Sequence, residues 1–385
     1  MKPATRCEQI KPFIVMDVME KIHQMEAAGI DVIHMEIGEP DFDVPECVNR
    51  ATRAALDCHA TSYTHSLGDI RLREAIAEYH KTTYGTFVDP GQILVTSGTS
   101  PAMLLLFSAL VNPGDEIIVS DPHYACYANF IHFVQGIPVF VKVSEDEGFV
   151  FTPEAIEAKI TSKTRAIFIN SPSNPTGNVI PEERMRQIVA VAEKHGVCII
   201  SDEIYHGLVY EGKEHSILEF TPHAFVLNGF SKLFAMTGLR LGYLIAPSEF
   251  VRALQVLQQN FFICANSVTQ LAGVAALKEA CEDTRQMREV YNRRRLYMLQ
   301  RLDDMGLAVK VPPTGAFYIF VNVKHISTDS YALAFDILEK AHIGVTPGID
   351  FGANGEGYIR FSYANSMENL TRGMDRMAAY LATKS

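Results

Sequence analysis

The chain is short of several things that would each have set its class. No run of apolar residues approaches the length that crosses a bilayer as a helix. The first residues, Met1 to Phe13 (MKPATRCEQIKPF), hold no apolar core of a secretion signal, so none is expected. Basic residues are in deficit: 34 Lys and Arg against 45 Asp and Glu give a net charge of -11. That balance argues against a nucleic-acid partner, which needs a basic face. The seven cysteines (7, 47, 58, 126, 198, 264 and 281) are scattered, odd in number and form no CxxC pair. Reduced thiols in a cytoplasm fit this better than a disulfide framework. His59 and His65 lie six residues apart and read as loop or surface histidines, so no metal is expected. Internal repeats, low-complexity linkers and long charge runs are missing too. The expectation is a soluble cytoplasmic protein.

What is present is ordinary globular material, 48% apolar and 21% charged, in 385 residues. That length exceeds what one core usually serves, so two domains are expected. Short runs rich in Val, Ile and Phe recur at Ile93–Thr96, Glu116–Ser120, Val139–Val143, Ala166–Asn170, Val197–Ser201, Ala224–Asn228 and Tyr243–Ala246. Helical patterns such as Pro153–Lys159 and Glu182–His195 separate most of them. Near-continuous apolar strands alternating with helices predict an α/β fold: a three-layer α/β/α domain around a mostly parallel seven-stranded sheet. From about Cys281 the pattern changes to a long charged helix, Asp283–Met305, and then to a smaller α/β unit. The N-terminus begins with a helix over Pro12–Ala28 and a strand over Val32–Ile37, expected to pack with that smaller unit. The predicted division is a large domain over 41–282 and a small domain from 1–40 and 283–385.

Open α/β sheets place ligands at the carboxyl ends of their strands, and the loops there carry chemistry. After Ile93–Thr96 comes Ser97-Gly98-Thr99-Ser100-Pro101, a turn and helix start whose free amides suit a phosphate; a plain capped helix would look the same. After Ala166–Asn170 comes Asn174, held between prolines. After Val197–Ser201 come Asp202 and Tyr205. A carboxylate leaving a buried strand is costly unless it meets a cation, which a structural ion pair or a protonated ring nitrogen can supply. After Ala224–Asn228 comes Gly229-Phe230-Ser231-Lys232, with Arg240 eight residues further on. A lysine in a small, apolar, glycine-bracketed loop suits a desolvated amine of lowered pKa, the state that forms a Schiff base. Arg240 can hold an anion with its planar fork.

Phosphate, pyridine nitrogen, phenolic oxygen and aldehyde together describe pyridoxal phosphate. The chain resembles the class I/II aminotransferases, fold type I enzymes that use this cofactor. The resemblance runs from Gly38-Glu39-Pro40-Asp41-Phe42 through Asn174-Pro175-Thr176-Gly177, Asp202-Glu203-Ile204-Tyr205 and the lysine loop to Gly357-Tyr358-Ile359-Arg360. It implies that Lys232 holds the cofactor aldehyde and then shuttles the substrate proton, while Asp202 keeps the pyridine nitrogen protonated. Tyr205 and Asn174 would bond the phenolic oxygen. Gly98, Thr99, Ser100, Ser231 and Arg240 would surround the phosphate, and Tyr124 would stack on the ring. Arg360 would clamp the substrate α-carboxylate beside the Gly38 backbone and Asn174. Tyr63 would reach the phosphate of a neighbouring subunit, and Asn266 would lie near the boundary, which implies a homodimer.

Two departures bear on substrate. Gly229 stands where many aspartate-active relatives have a phosphate-binding serine, and Ser100-Pro101 stand where a dicarboxylate-using branch has a lysine. The segment Pro12–Met16, which in relatives lies over the substrate side chain, is apolar here. A distal carboxylate left without a cation is costly. The expected donor is therefore neutral, alanine or a larger apolar or aromatic amino acid, with 2-oxoglutarate as acceptor. Aspartate stays open if a cation such as His65 arrives from the other subunit. A carbon–sulfur β-lyase shares most of these residues. A DNA-binding regulator on this fold is disfavoured by the acidic charge and the short N-terminal segment.

Overall fold

The computed structural model describes residues 1–384. Seven strands form the central sheet, in the spatial order Ile93–Thr96, Gly242–Ile245, Ala224–Gly229, Cys198–Asp202, Thr164–Asn170, Glu116–Asp121 and Ile137–Lys142. Gly242–Ile245 runs antiparallel to both its neighbours, and the other adjacent pairs are parallel. Strand side chains alternate between the two faces. Ile117, Val119, Ile200 and Leu227 enter one apolar cluster with helix Thr99–Leu110, while Ile118, Ile199 and Val226 enter the cluster on the opposite face. Both faces are covered, which is why these strands read as unbroken apolar runs rather than as alternating ones.

A second sheet has three antiparallel strands, Thr346–Pro347, Tyr358–Ser362 and Tyr318–Asn322, with Arg360 opposite Phe320 on one side and Thr346 on the other. Helix Cys281–Asp304 starts two residues earlier than its charge pattern predicts. Its buried Arg294 makes a bidentate ion pair with Asp41 at 2.6 and 2.8 Å, tying the long helix to the Gly38–Phe42 motif. Helix Ile14–Ala27 buries Val18, Ile22 and Met25 against Leu338, the spacing of one helical face.

The strand expected over Val32–Ile37 is shorter: only Ile33–His34 pair, in parallel with Ile343–Gly344. Beyond them the backbone serves other partners. The carbonyl of Met35 accepts from the Ser362 amide at 2.7 Å. Those of Glu36 and Gly38 accept from Arg360 and Lys232. The pairing with Ile343–Gly344 ends where the Met35 carbonyl turns to Tyr358–Ser362 and those of Glu36 and Gly38 are taken by side chains.

Candidate active site

A cavity of about 830 Å³ opens at the carboxyl ends of the parallel strands and reaches the three-stranded sheet. Lys232 enters it from the turn after Ala224–Gly229 and donates from Nζ to the Gly38 carbonyl at 2.6 Å. Burial pushes its ammonium down to about 8; Arg360 and Arg240 add to the shift, against Glu39 and Asp202. The sign is that of a cation losing water: the neutral amine gains population well below the ordinary lysine range. In cofactor-free protein, acylation of Lys232 by an amine-reactive reagent is expected to rise through about pH 8, below the ordinary lysine range of about 10.4. Competitive labelling read by mass spectrometry checks this, and a titration in the ordinary lysine range at Lys232 would refute it.

Asp202 ends strand Cys198–Asp202 and is 4% exposed. Its Oδ2 accepts from the Tyr127 hydroxyl at 2.6 Å and its Oδ1 from the Ile204 amide at 3.2 Å. Burial still pushes its carboxyl up to about 6. Two neutral donors do not offset the desolvation, so the carboxylate has further capacity for a cationic N–H at the cavity wall.

Arg360 lies between the rings of Tyr318 and Phe351, with its guanidinium carbon 4.4 and 4.9 Å from their centroids. Nη1 donates to Asn174 Oδ1 at 2.9 Å, and Nη2 donates to the Glu36 carbonyl at 2.5 Å and to Thr346 Oγ1 at 3.1 Å. Nε is buried and, among the described residues, has no hydrogen-bond partner. A guanidinium oriented by stacking and carbonyls, with donor capacity left over, is prepared for a carboxylate. Tyr205 bonds the Tyr318 hydroxyl at 2.8 Å. Tyr318 in turn fixes residue 38 as glycine: a Cβ there would stand 2.1 Å from its hydroxyl oxygen.

At the far end, Gly98 (φ +98°) starts helix Thr99–Leu110, which has no side-chain cap, so its first amides face outward. A Cβ on Gly98 would lie 2.7 Å from Arg240 Nη2, and one on Gly242 would lie 2.8 Å from the Thr99 nitrogen. Glycine at both positions lets the guanidinium and the helix start converge. Arg240 is braced by the Thr237 carbonyl at 3.0 Å, and Thr237 donates to Glu39 at 2.5 Å. Gly229 packs tightly: a Cβ would meet the Leu241 carbonyl at 3.0 Å, so this corner is built without a serine there.

Thr99, Ser100, Ser231, Arg240 and Tyr124 thus line one cavity with Lys232, Asp202, Tyr205, Asn174, Gly38 and Arg360. Gly38 sits on Lys232 rather than on Arg360, whose carbonyl partner is Glu36. Tyr63 is 80% exposed and does not line the cavity, and Asn266 caps helix Ser267–Glu279 through the Thr269 amide at 3.1 Å. Sequence reasoning missed Tyr127, Tyr318 and Thr346. Tyr127 had a signal, three residues from Tyr124 on one turn; the other two depend on the pairing of distant strands.

The sequence profile described as Aminotransferase class I and II matches residues 30–377. The chain belongs to the class I and II aminotransferases. It is 41% identical to the (5-formylfuran-3-yl)methyl phosphate transaminase of Methanocaldococcus jannaschii, over 98% of both chains. It is 38% identical to the aspartate aminotransferase of Pyrococcus horikoshii, over 97% of this chain and 96% of that one. Among solved structures it superposes on the Thermus thermophilus aspartate aminotransferase with maleate at a TM-score of 0.95, with 36% identity, covering 98% and 99% of the two chains. The aminotransferase is a pyridoxal-phosphate enzyme acting on amino acids and 2-oxo acids. The residues present fit that cofactor: an uncapped helix start with Arg240, a buried carboxylate with unused capacity, and an amine of lowered pKa. Pyridoxal phosphate supplies an electrophilic aldehyde on an electron-withdrawing ring. No described helix is long and apolar enough to cross a membrane.

Proposed function

We propose that this aminotransferase takes its amino group from a neutral amino acid, alanine or a larger apolar or aromatic one, and gives it to a 2-oxo acid such as 2-oxoglutarate by a ping-pong route. The observation that carries the reading is the wall of the cavity. Phe13, Val15, Met16, Met19 and Ile37 form its apolar side, and its cations among the described residues are Lys232, Arg240 and Arg360. In this reading each of the three is engaged: Lys232 as the amine that takes the Cα proton, Arg240 at the phosphate, Arg360 at the α-carboxylate. Glu39 and Asp350 also face the cavity, and both disfavour a second acidic group. Asn174 and Tyr205 orient the cofactor oxygen, Asp202 its ring nitrogen, and Tyr124 its face, with Gly98, Thr99, Ser100 and Ser231 at the phosphate.

Residues 41–282 form the cofactor-holding unit in this proposal, and 1–40 with 283–385 the smaller one that carries Arg360. Two copies complete the site. Gln270 donates to Thr64, and Gln255 and Gln259 donate to Ser66, which places the loop of exposed Tyr63 beside helix Ser248–Phe261. Phe261 and Ile263 there are also exposed, an apolar face suited to a second copy. Seven unpaired cysteines support a cytoplasmic setting.

The names of the Pyrococcus and Thermus relatives favour aspartate as a second reading. Steady-state kcat/KM for alanine, leucine, phenylalanine and aspartate, each with 2-oxoglutarate, separates the two. The neutral donors are expected to lead by about tenfold or more, the penalty of an unpaired carboxylate; aspartate in front would overturn the proposal.

A further inference from the structure

The apolar wall of the cavity is not held by its own helix. Helix Ile14–Ala27 begins after Phe13, which offers no side-chain cap. The cap comes from the other end of the chain: Asp350 Oδ1 accepts from the Ile14 amide at 2.9 Å and Oδ2 from the Val15 amide at 3.3 Å. A carboxylate on the first free amides of a helix satisfies donors and complements the helix dipole. Three residues earlier the segment is tied on the opposite side, where Asn129 accepts from the Lys11 amide at 3.0 Å and donates to its carbonyl at 3.1 Å. Residues 11–15 therefore form a strap with one anchor in helix Cys126–Phe133 and the other at Asp350. Between the anchors, Phe13 packs edge-on against Tyr124, ring centroids 5.7 Å apart.

The Asp350 anchor is itself rigid. It sits in the turn Gly348–Phe351, where Ile349 donates to Ser330 at 3.1 Å and the Phe351 carbonyl accepts from the His123 amide at 2.8 Å. The neighbouring Asn354 donates twice to Asp121, at 2.8 and 3.1 Å. Phe351, next in sequence, is one of the two rings against Arg360. One turn thus connects the α-carboxylate clamp to the side-chain wall. Asp350 is 8% exposed and faces the cavity, and its burial raises the carboxyl, against the two amide bonds and Arg360.

We propose that Asp350 is a specificity-positioning residue: its carboxylate holds Phe13, Val15 and Met16 over the substrate side chain, favouring large neutral donors, and its charge excludes acidic ones. The idea rests on the neutral-donor reading above. Two substitutions separate its parts. Asp350→Asn keeps an acceptor for the Ile14 amide and removes the charge; Asp350→Ala removes both.

Holoenzymes of the wild type and both variants would be compared in two measurements. The first is kcat/KM for leucine, alanine and aspartate with 2-oxoglutarate. In Asp350→Ala the leucine-to-alanine ratio is expected to fall about tenfold, mainly through KM for leucine, the scale of losing hydrogen bonds to a charged acceptor. In Asp350→Asn that ratio stays within about threefold of wild type while aspartate gains about tenfold, the scale of relieving a like charge at a partly buried site. The second measurement is hydrogen–deuterium exchange of the peptide over residues 11–19. Exchange accelerates in Asp350→Ala, and Asp350→Asn restores much of the protection. An unchanged leucine-to-alanine ratio, or unchanged exchange, in Asp350→Ala overturns the proposal. If the wild type itself prefers aspartate, the neutral-donor reading fails, and the exchange data still decide whether Asp350 holds the strap.

Discussion

Replacing Lys232 by alanine is expected to lower kcat by about four orders of magnitude or more, the largest single loss at this site. In the proposed reading Lys232 does two things, holding the cofactor and taking and returning the substrate proton, and general acid–base work alone is worth about 10²–10⁴-fold. The structure explains why no neighbour substitutes. The other cations of the cavity, Arg240 and Arg360, are guanidinium groups that stay protonated and cannot act as free amines. Lys232→Arg is expected to fail as completely as the alanine variant, although it keeps the charge. Single-turnover kinetics on purified variants check both, with circular dichroism as the control for folding. Turnover within a hundredfold of wild type in Lys232→Ala would show that another group moves the proton.

Loss of the Asp202 charge comes second and has an opposite effect on stability. Asp202→Asn keeps an acceptor for the Ile204 amide and turns its NH2 to the Tyr127 oxygen, but cannot balance the proposed protonated ring nitrogen, so kcat is expected to fall by about 10²–10³-fold, as when one preorganised electrostatic partner is removed. In the cofactor-free protein the same change should stabilise. The carboxyl is raised from 3.8 to about 6 in the fold, so its folded form binds a proton more tightly than the unfolded chain does. That contribution is full below pH 3.8 and is lost as pH rises through 6. At pH 7 the wild type carries the whole penalty, on the order of 3 kcal/mol, which Asn removes. Urea unfolding of cofactor-free wild type and variant at pH 7 measures it. A variant that is less stable and still active would show that Asp202 is an ordinary structural acid.

Much of this was legible in the order of residues along the chain, for a physical reason. Strands buried on both faces must be apolar throughout, so Ile93–Thr96 and Ala224–Asn228 stand out, and the loop after each lies at the ligand-binding edge. Lys232, Asp202 and Asn174 are visible because each lies within four residues of such a strand end. The structure places them around one cavity. Boundaries shifted by a residue or two where a strand end is decided by backbone partners, as at Cys198–Asp202. Illegible features come from pairings across hundreds of residues. Tyr318 matters because it stacks on Arg360 and bonds Tyr205, and nothing near residue 318 indicates either. Val32–Ile37 reads as a strand by its apolar content, yet its Glu36 carbonyl serves Arg360 and that of Gly38, just beyond it, serves Lys232. Asp350 looks like a loop carboxylate until helix Ile14–Ala27 is seen to begin on it.

The central claim is that this cavity transfers an amino group rather than releasing it. Holoenzyme mixed with ¹⁵N-labelled alanine, and separately with cysteine, in the absence of any 2-oxo acid tests it most directly. Expected are one equivalent of pyruvate per site from alanine, no free ammonia from either amino acid, and the label retained by the protein until 2-oxoglutarate is added. Pyruvate and ammonia accumulating from cysteine well beyond one equivalent per site would contradict it.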